Sequence, residues 1–330
     1  MKVLVLTDLK IGSSKQAIAL GKELSDDVMI YNVKYNSFIK IPNIIRFGLL
    51  GVVVNKEEIA DLLAYKPEII IFSGRRLSKF ALYLKANLDN KPKIITITNP
   101  EVNFKDFYKV ILPYHDKDIE DKYNNILRID GSLCKFDKEF MKKEGEDFLN
   151  TFGVRNTKFI SLFIGGNTKN KTFDKLAFGE FIQELSNLVR KNNATLLIST
   201  SRRTTEDQKS VLINNLFCNH YLYDWEKARK DKSIKNPYNA FFELSDTLVM
   251  TGDSISMISE AITFGKSLYI YRDDKQLTKK HINFINSVVE KNIAKIFTKD
   301  LKGFEKINTR GFDELKRIKN ILLENINKWW

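Results

Sequence analysis

The sequence predicts an α/β chain of two similar halves, each a mostly parallel sheet covered by helices on both faces. Three observations carry that reading. Short apolar runs rich in β-branched residues alternate with longer helix-forming stretches, which is the pattern of parallel strands joined by crossover helices. The whole pattern then runs a second time. Finally, 330 residues with 43% apolar content are enough for two domains, each able to bury its own core.

The first-half strands are expected at Val3–Thr7, Val28–Asn32, Ile69–Ser73, Ile94–Thr98 and Val110–Pro113, with helices around Lys15–Glu23, Lys56–Ala64 and Ser78–Leu88. The second half offers strands Phe159–Ile164, Thr195–Thr200, His220–Tyr223, Leu248–Thr251 and Ser267–Tyr271, with helices near Lys175–Lys191, Thr205–Leu216 and Ser256–Phe264. A charged helix, Asp137–Phe152, stops at Gly153 and forms the natural connection. The last helix, Phe312–Trp330, places apolar residues at 315, 318, 322 and 326, a period that gives one buried face. The expected domains are Rossmann-like, 1–150 and 151–311, and a ligand cleft is expected at the carboxyl ends of both sheets.

Composition narrows the function classes. No opening stretch combines a basic start, an apolar core and a small-residue cleavage site, and the longest apolar candidate, Ile39 to Asn55, is interrupted by Lys40, Pro42, Asn43 and Arg46. The expectation is a cytoplasmic protein, or one held peripherally on the inner face of the cytoplasmic membrane. Cys134 and Cys218 lie far apart without a ligand-like spacing, so neither a disulfide framework nor a metal site is favoured. The net charge of +13 calls for an anionic partner, but the basic residues follow neither zinc-finger spacing nor an aromatic RNA-binding signature. Nucleic acid is not expected; phosphorylated small molecules and anionic membrane remain.

One stretch, Asp246 to Arg272, reads as strand, tight turn, helix and strand. Thr251 ends the strand, Gly252 turns the chain, and Asp253, Ser254 and Ser256 gather at a helix start, where side-chain oxygens cap some amides and others stay available for a diphosphate. Glu260 follows one to two turns later, within reach of ribose hydroxyls. The same residues also fit an ordinary strand–turn–helix in which Asp253 caps and Glu260 is solvated. Gly165 and Gly166, followed by Lys169, open the first loop of the second half, where backbone can approach phosphate and lysine can neutralise it. Ser201, Arg202 and Arg203 follow the next strand, and guanidinium groups bind phosphate bidentately. Trp225, or Tyr238 in the turn begun by Asn236, could stack on a base.

In the first half, Asp8, Lys10 and Gly12 are placed on the turn after the first strand, and Ser73 to Arg76 on the turn after the third. His115, with Asp116 beside it, follows Val110–Leu112 and is a candidate base for an acceptor hydroxyl, with Asp8 as the rival. The segment Ile39 to Leu50 interleaves apolar residues with Lys40 and Arg46, which suits either a membrane interface or a packed segment; Trp329-Trp330 suits the same interface or packing.

The run Ser259-Glu260-Ala261 to Gly265-Lys266 resembles the ribose-binding strand and helix of two-domain GT-B glycosyltransferases. Further segments, Asp8-x-Lys10-x-Gly12-x-x-x-Gln16, Ser73-Gly74-Arg75-Arg76, Pro113-Tyr114-His115-Asp116, Ile164-Gly165-Gly166, Ser201-Arg202-Arg203-Thr204, Asn236-Pro237-Tyr238 and Thr251-Gly252-Asp253-Ser254, together resemble the "elongated mitochondria" family of a plant mitochondrial-fission factor, which has many bacterial members. The chain departs from that pattern at Leu9 and Ser13, where the family has glycine and histidine. The resemblance implies a GT-B fold whose last helix crosses back to the first domain. It also implies a nucleotide-diphosphate sugar of the UDP or GDP type as donor and leaves the acceptor open, a lipid-linked one being among the candidates; no metal is expected to be required, because arginine, lysine and helix amides can stabilise the departing diphosphate. Two alternatives stay open: a non-catalytic membrane-associated adaptor, the role of the plant relatives, and a nucleotide-sugar epimerase, which the small number of histidines, 3, disfavours.

Overall fold

The computed structural model describes residues 1–8, 11–43, 45, 48–116, 123–153, 157–168, 171–308 and 313–326. The chain divides into two compact units, one of Met1–Lys135 with Asp313–Trp330 and one of Phe136–Phe312.

The first unit contains β1 (Val3–Thr7), α1 (Ile11–Leu24), β2 (Val28–Asn32), a short antiparallel pair β3 (Lys34–Tyr35) and β4 (Val52–Val53), α2 (Lys56–Ala64), β5 (Ile69–Ser73), α3 (Ser78–Ala86), β6 (Lys93–Ile97), β7 (Lys109–Pro113) and β8 (Ile126–Ile129). Its main sheet runs β2-β1-β5-β6-β7-β8, with every neighbouring pair parallel. Alternate residues of each strand feed opposite layers, as the two-residue period of a strand requires. Val3, Val5, Ile69 and Ile71 meet α1 and the C-terminal helix Glu314–Ile326, whereas Leu4, Leu6, Ile70 and Phe72 meet α2 and α3. The C-terminal helix buries Leu315, Ile318 and Leu322 in the first of these layers. Its Glu314 accepts the Asp130 amide at 3.1 Å, and Lys319 pairs with Glu23 of α1 at 3.0 Å.

The second unit contains α4 (Lys138–Phe152), β9 (Lys158–Phe163), α5 (Lys175–Lys191), β10 (Ala194–Ser199), α6 (Glu206–Asn215), β11 (His220–Tyr223), α7 (Trp225–Lys230), α8 (Tyr238–Leu244), β12 (Thr247–Thr251), α9 (Ile255–Phe264), β13 (Ser267–Tyr271), α10 (Lys279–Glu290) and β14 (Lys295–Ile296). Its sheet is parallel in the order β11-β10-β9-β12-β13-β14, so the strand order reverses between β9 and β12. Ligands of open α/β sheets bind at the carboxyl end of such a reversal. One layer joins Phe159, Phe163, Leu248 and Met250 to α4, α8, α9 and α10; the other joins Ile160, Leu162, Leu196 and Ile198 to α5 and α6.

Several details differ from the sequence expectation. The helix read as a connection, α4, packs into the second unit: Phe148 meets Phe241 at 5.3 Å, and Gly145 leaves room for Leu244. Gly12 lies in the first turn of α1 instead of the turn before it. Thr98 has φ +69°, outside the extended region, which ends β6 at Ile97. The pair β3–β4, the strands β8 and β14 and the helices α7, α8 and α10 add to the expected elements. Among the described residues no helix is long and apolar enough to cross a membrane.

Candidate functional site

Loops after β9, β10 and β12 converge at the reversal of the second sheet, and a buried carboxylate holds them together. Asp253 has its side chain fully buried, and its Oδ2 accepts the Gly166 amide at 2.9 Å and an Arg203 Nη2 at 2.9 Å. Arg203 reaches the Asp253 carbonyl as well, at 3.3 Å. Burial pushes the Asp253 carboxyl up, while the Arg203 charge pulls it back down. The Thr251 hydroxyl accepts the Gly165 amide at 2.8 Å, and the Gly165 carbonyl accepts the hydroxyls of Ser201 and, at 3.0 Å, Thr204. Buried Gln276 donates to the Gly166 carbonyl at 2.7 Å.

This network changes the part assigned to the two glycines. A Cβ on Gly165 would lie 2.0 Å from Asp253 Oδ2, and one on Gly166, at φ +137°, would lie 1.9 Å from the Arg203 carbonyl. Both residues are glycine because neighbouring protein groups fill that space. Their amides are already bonded inside the protein, so they are not the phosphate cradle that the sequence suggests. Gly252 lies in the same buried turn and donates to the Tyr271 carbonyl at 2.9 Å. Lys169 lies outside the described residues, as do Lys10 and the Trp329-Trp330 pair.

What stays open is the start of α9. Ser254 occupies the N-cap position without a side-chain capping bond, correcting the expectation that Asp253 or the serines cap it; Asp253 points inward and exposed Ser256 reaches toward Glu260. First-turn amides therefore remain for an anion. Glu260 is half-buried, its Oε2 accepting the Tyr238 hydroxyl at 2.7 Å and its Oε1 the Ser256 hydroxyl at 3.3 Å. Tyr238 is itself fixed: its amide donates to Asn236 Oδ1 at 3.1 Å, and its ring packs edge-on to Phe163, the last residue of β9, at 5.0 Å. The two arginines divide. Arg203 is spent on Asp253, whereas Arg202 is exposed and, among the described residues, makes no hydrogen bond or ion pair. Trp225 sits on the edge-strand side after β11, with Arg229 over its ring at 6.0 Å.

Sequence reasoning missed His281. It lies on α10, its Nδ1 2.7 Å from the Thr278 hydroxyl, and it packs near the Asp253 backbone and Arg203. Burial holds its pKa down, reinforced by the Arg203 and Lys280 charges, so the neutral imidazole is favoured. No local motif surrounds it; only the packing of α10 beside the reversal brings it there.

In the first unit the candidates are dispersed. Asp8 is buried just beyond β1, where its loop closes through Ser14, whose hydroxyl bonds both the amide and the carbonyl of Asp8. His115 is buried just beyond β7. Strands β5 and β6 separate β1 from β7, so at the usual strand spacing the two side chains arise about 14 Å apart and do not form a pair. Arg75 is engaged with Glu101 at 3.0 Å, and Arg76 lies 5.9 Å from the Tyr35 ring centre. Buried Asn43 ties the segment between β3 and β4 to the Arg75 and Pro100 carbonyls, at 2.7 and 2.9 Å. The same segment leaves Phe38 and Ile45 exposed, at 53% and 67%, with Lys40 exposed between them. Among the described residues no three of His, Cys, Asp and Glu gather as a metal-ligand set.

Comparison with known proteins agrees with this architecture. The chain is 29% identical to an uncharacterized protein of Rickettsia prowazekii, RP120, across 98% of both chains. It is 23% identical to the mitochondrial fission protein ELM1 of Arabidopsis thaliana over 72% of this chain and 58% of that protein. A solved glycosyltransferase from Rickettsia africae covers 99% of the chain, with 98% of its own length matched, at a TM-score of 0.50 and 12% identity, which bears on fold alone. The fold is that of GT-B glycosyltransferases. The model of the mitochondrial fission ELM1 family matches residues 11–326, and the chain belongs to that family.

Proposed function

We propose that the protein is a glycosyltransferase that takes a nucleoside diphosphate sugar at the carboxyl edge of its second sheet. The observation that carries the reading is Glu260, held by Tyr238 and Ser256 behind a helix start that no side chain caps. A ribose would meet the Glu260 carboxylate, while the diphosphate would meet the first-turn amides of α9, the Ser254 and Ser256 hydroxyls and the free guanidinium of Arg202. Those donors stabilise the departing diphosphate without calling on a metal. The base would lie by Tyr238. In the first unit, Asp8 or His115 serves as the base for the acceptor hydroxyl, acting singly. A lipid-linked acceptor and peripheral membrane binding are supported by exposed Phe38 and Ile45 beside Lys40 and by the net charge of +13.

One observation favours a second reading, a membrane-associated adaptor without catalysis: the two acceptor-side candidates are both buried and are held on strands that do not adjoin. Turnover decides. Purified protein is incubated with UDP- and GDP-sugars and with membrane lipid extract, and release of nucleoside diphosphate is followed. Extract-dependent release that is lost in Asp8→Asn or His115→Gln supports the transferase. Nucleotide binding with no release for any donor supports the adaptor.

A further inference from the structure

A cavity of about 500 Å³ opens in the second unit beside the carboxyl ends of β13 and β14, away from the reversal between β9 and β12. Its walls are aromatic: Tyr271 ends β13, Phe297 follows β14, and Phe181 of α5 stacks on Tyr271 at 4.2 Å and meets Phe297 edge-on at 4.9 Å. Tyr271 is 8% exposed, and its hydroxyl has no hydrogen-bond partner among the described residues.

The charges around the cavity are not balanced in availability. Each basic group of the rim already has an acid: Arg272 has Asp274 at 2.6 Å, Lys275 has Asp174 at 2.5 Å, and Lys299 has Glu180. Asp273 is also satisfied, its oxygens accepting the Asp174 and Lys275 amides at 3.0 and 2.9 Å. Glu184 is different. It lines the cavity one turn beyond Phe181 on α5, is half-buried, and makes no hydrogen bond or ion pair among the described residues, although it feels the charge of Lys299, whose ammonium is bonded to Glu180. Burial first, and then the carboxylates of Asp273, Asp174 and Glu180, hold the Tyr271 hydroxyl in its protonated form.

We propose that this cavity is a binding site for a small organic cation, an alkylammonium group held by the Glu184 carboxylate against the Phe181, Tyr271 and Phe297 rings. A desolvated ammonium gains from the faces of aromatic rings and from a charge-assisted bond to a carboxylate, and the cavity provides both. The site is independent of the nucleotide reading, since none of its residues belongs to the Glu260 site.

The test titrates full-length protein with choline, with spermidine and with 3,3-dimethyl-1-butanol, the neutral isostere of choline, by calorimetry at low salt. Saturable binding of choline or spermidine, at least tenfold weaker binding of the alcohol, and a loss of fivefold or more in Glu184→Gln are expected. Choline alone would identify a quaternary-ammonium site, spermidine alone a primary-amine site. The thermal midpoint of Glu184→Gln, unchanged for a half-exposed surface carboxylate, guards against misfolding, and Phe297→Leu should weaken the cation while sparing the fold. Equal binding of the alcohol and choline, no saturable binding of either cation, or unaltered affinity in Glu184→Gln would overturn the proposal.

Discussion

In the second unit, three strand-end loops are locked by side chains reaching from one to another, with Asp253 bonded to both Gly166 and Arg203; in the first, Asp8 closes on its own neighbour Ser14 and His115 lies three strands away. The difference lies in preorganisation. Buried polar groups bonded from loop to loop fix backbone geometry, and a helix start can then be presented to an anion without further ordering. In the first unit, buried Asn43 instead anchors a partly apolar segment to the Arg75 and Pro100 carbonyls. A rigid edge suits a constant ligand part such as a diphosphate, and an edge made of separate loops suits a variable one.

The comparison breaks most directly at Asp253. Asp253→Ala strips the partner from Arg203 and the acceptor from the Gly166 amide; because Arg203 is 37% exposed and therefore partly screened, the expected loss is about 2–3 kcal/mol in urea unfolding, below the usual cost of breaking a fully buried pair. Gly165→Ala should come next, at about 1–3 kcal/mol, because its Cβ would have to displace the Asp253 carboxylate, whereas alanine at open Gly12 should be neutral or mildly stabilising.

The arginines sharpen the same contrast within one loop. Arg203→Ala should lower stability, while Arg202→Ala should leave the fold intact and weaken a nucleoside diphosphate more than a nucleoside. Equal losses for both ligands in Arg202→Ala would remove that residue from the phosphate site.

A smaller effect is expected from pH. His281 has a folded pKa below its ordinary 6.5, so its unfolded form binds the proton more readily. Its contribution is fully present above that value and is lost as pH falls through the folded pKa. Stability should therefore decline below about pH 6.5, and His281→Gln should flatten that part of the profile. An unchanged slope in the variant would show that another group titrates.

Much of the fold was legible because the strands are fully buried runs: Val3 to Leu6, Ile69 to Phe72 and Leu248 to Met250 have no polar face to disguise them. The pair β3–β4 and strand β14 were not, since two residues carry no period. Helix α8 was read as a turn because Asn236-Pro237 punctuates its start. In the site, Glu260 and Ser256 were legible as a local helix pattern. Asp253 and Arg203, 50 positions apart, and Gln276 and Gly166, 110 apart, belong to one network only once the sheet order is known. That is also why the glycine pair suggested a phosphate loop when its amides serve the protein itself.

The most direct test of the nucleotide reading is calorimetric titration of UDP and GDP into wild type and Glu260→Ala. The account predicts saturable binding of at least one nucleotide by the wild type and a loss of about 1–3 kcal/mol in the variant, the scale of a lost hydrogen bond to a charged group. It also predicts an unchanged thermal midpoint for the unliganded variant within about a degree or two, as for a half-exposed side chain. Equal affinity in the two proteins, or no binding of either nucleotide by the wild type, would contradict it.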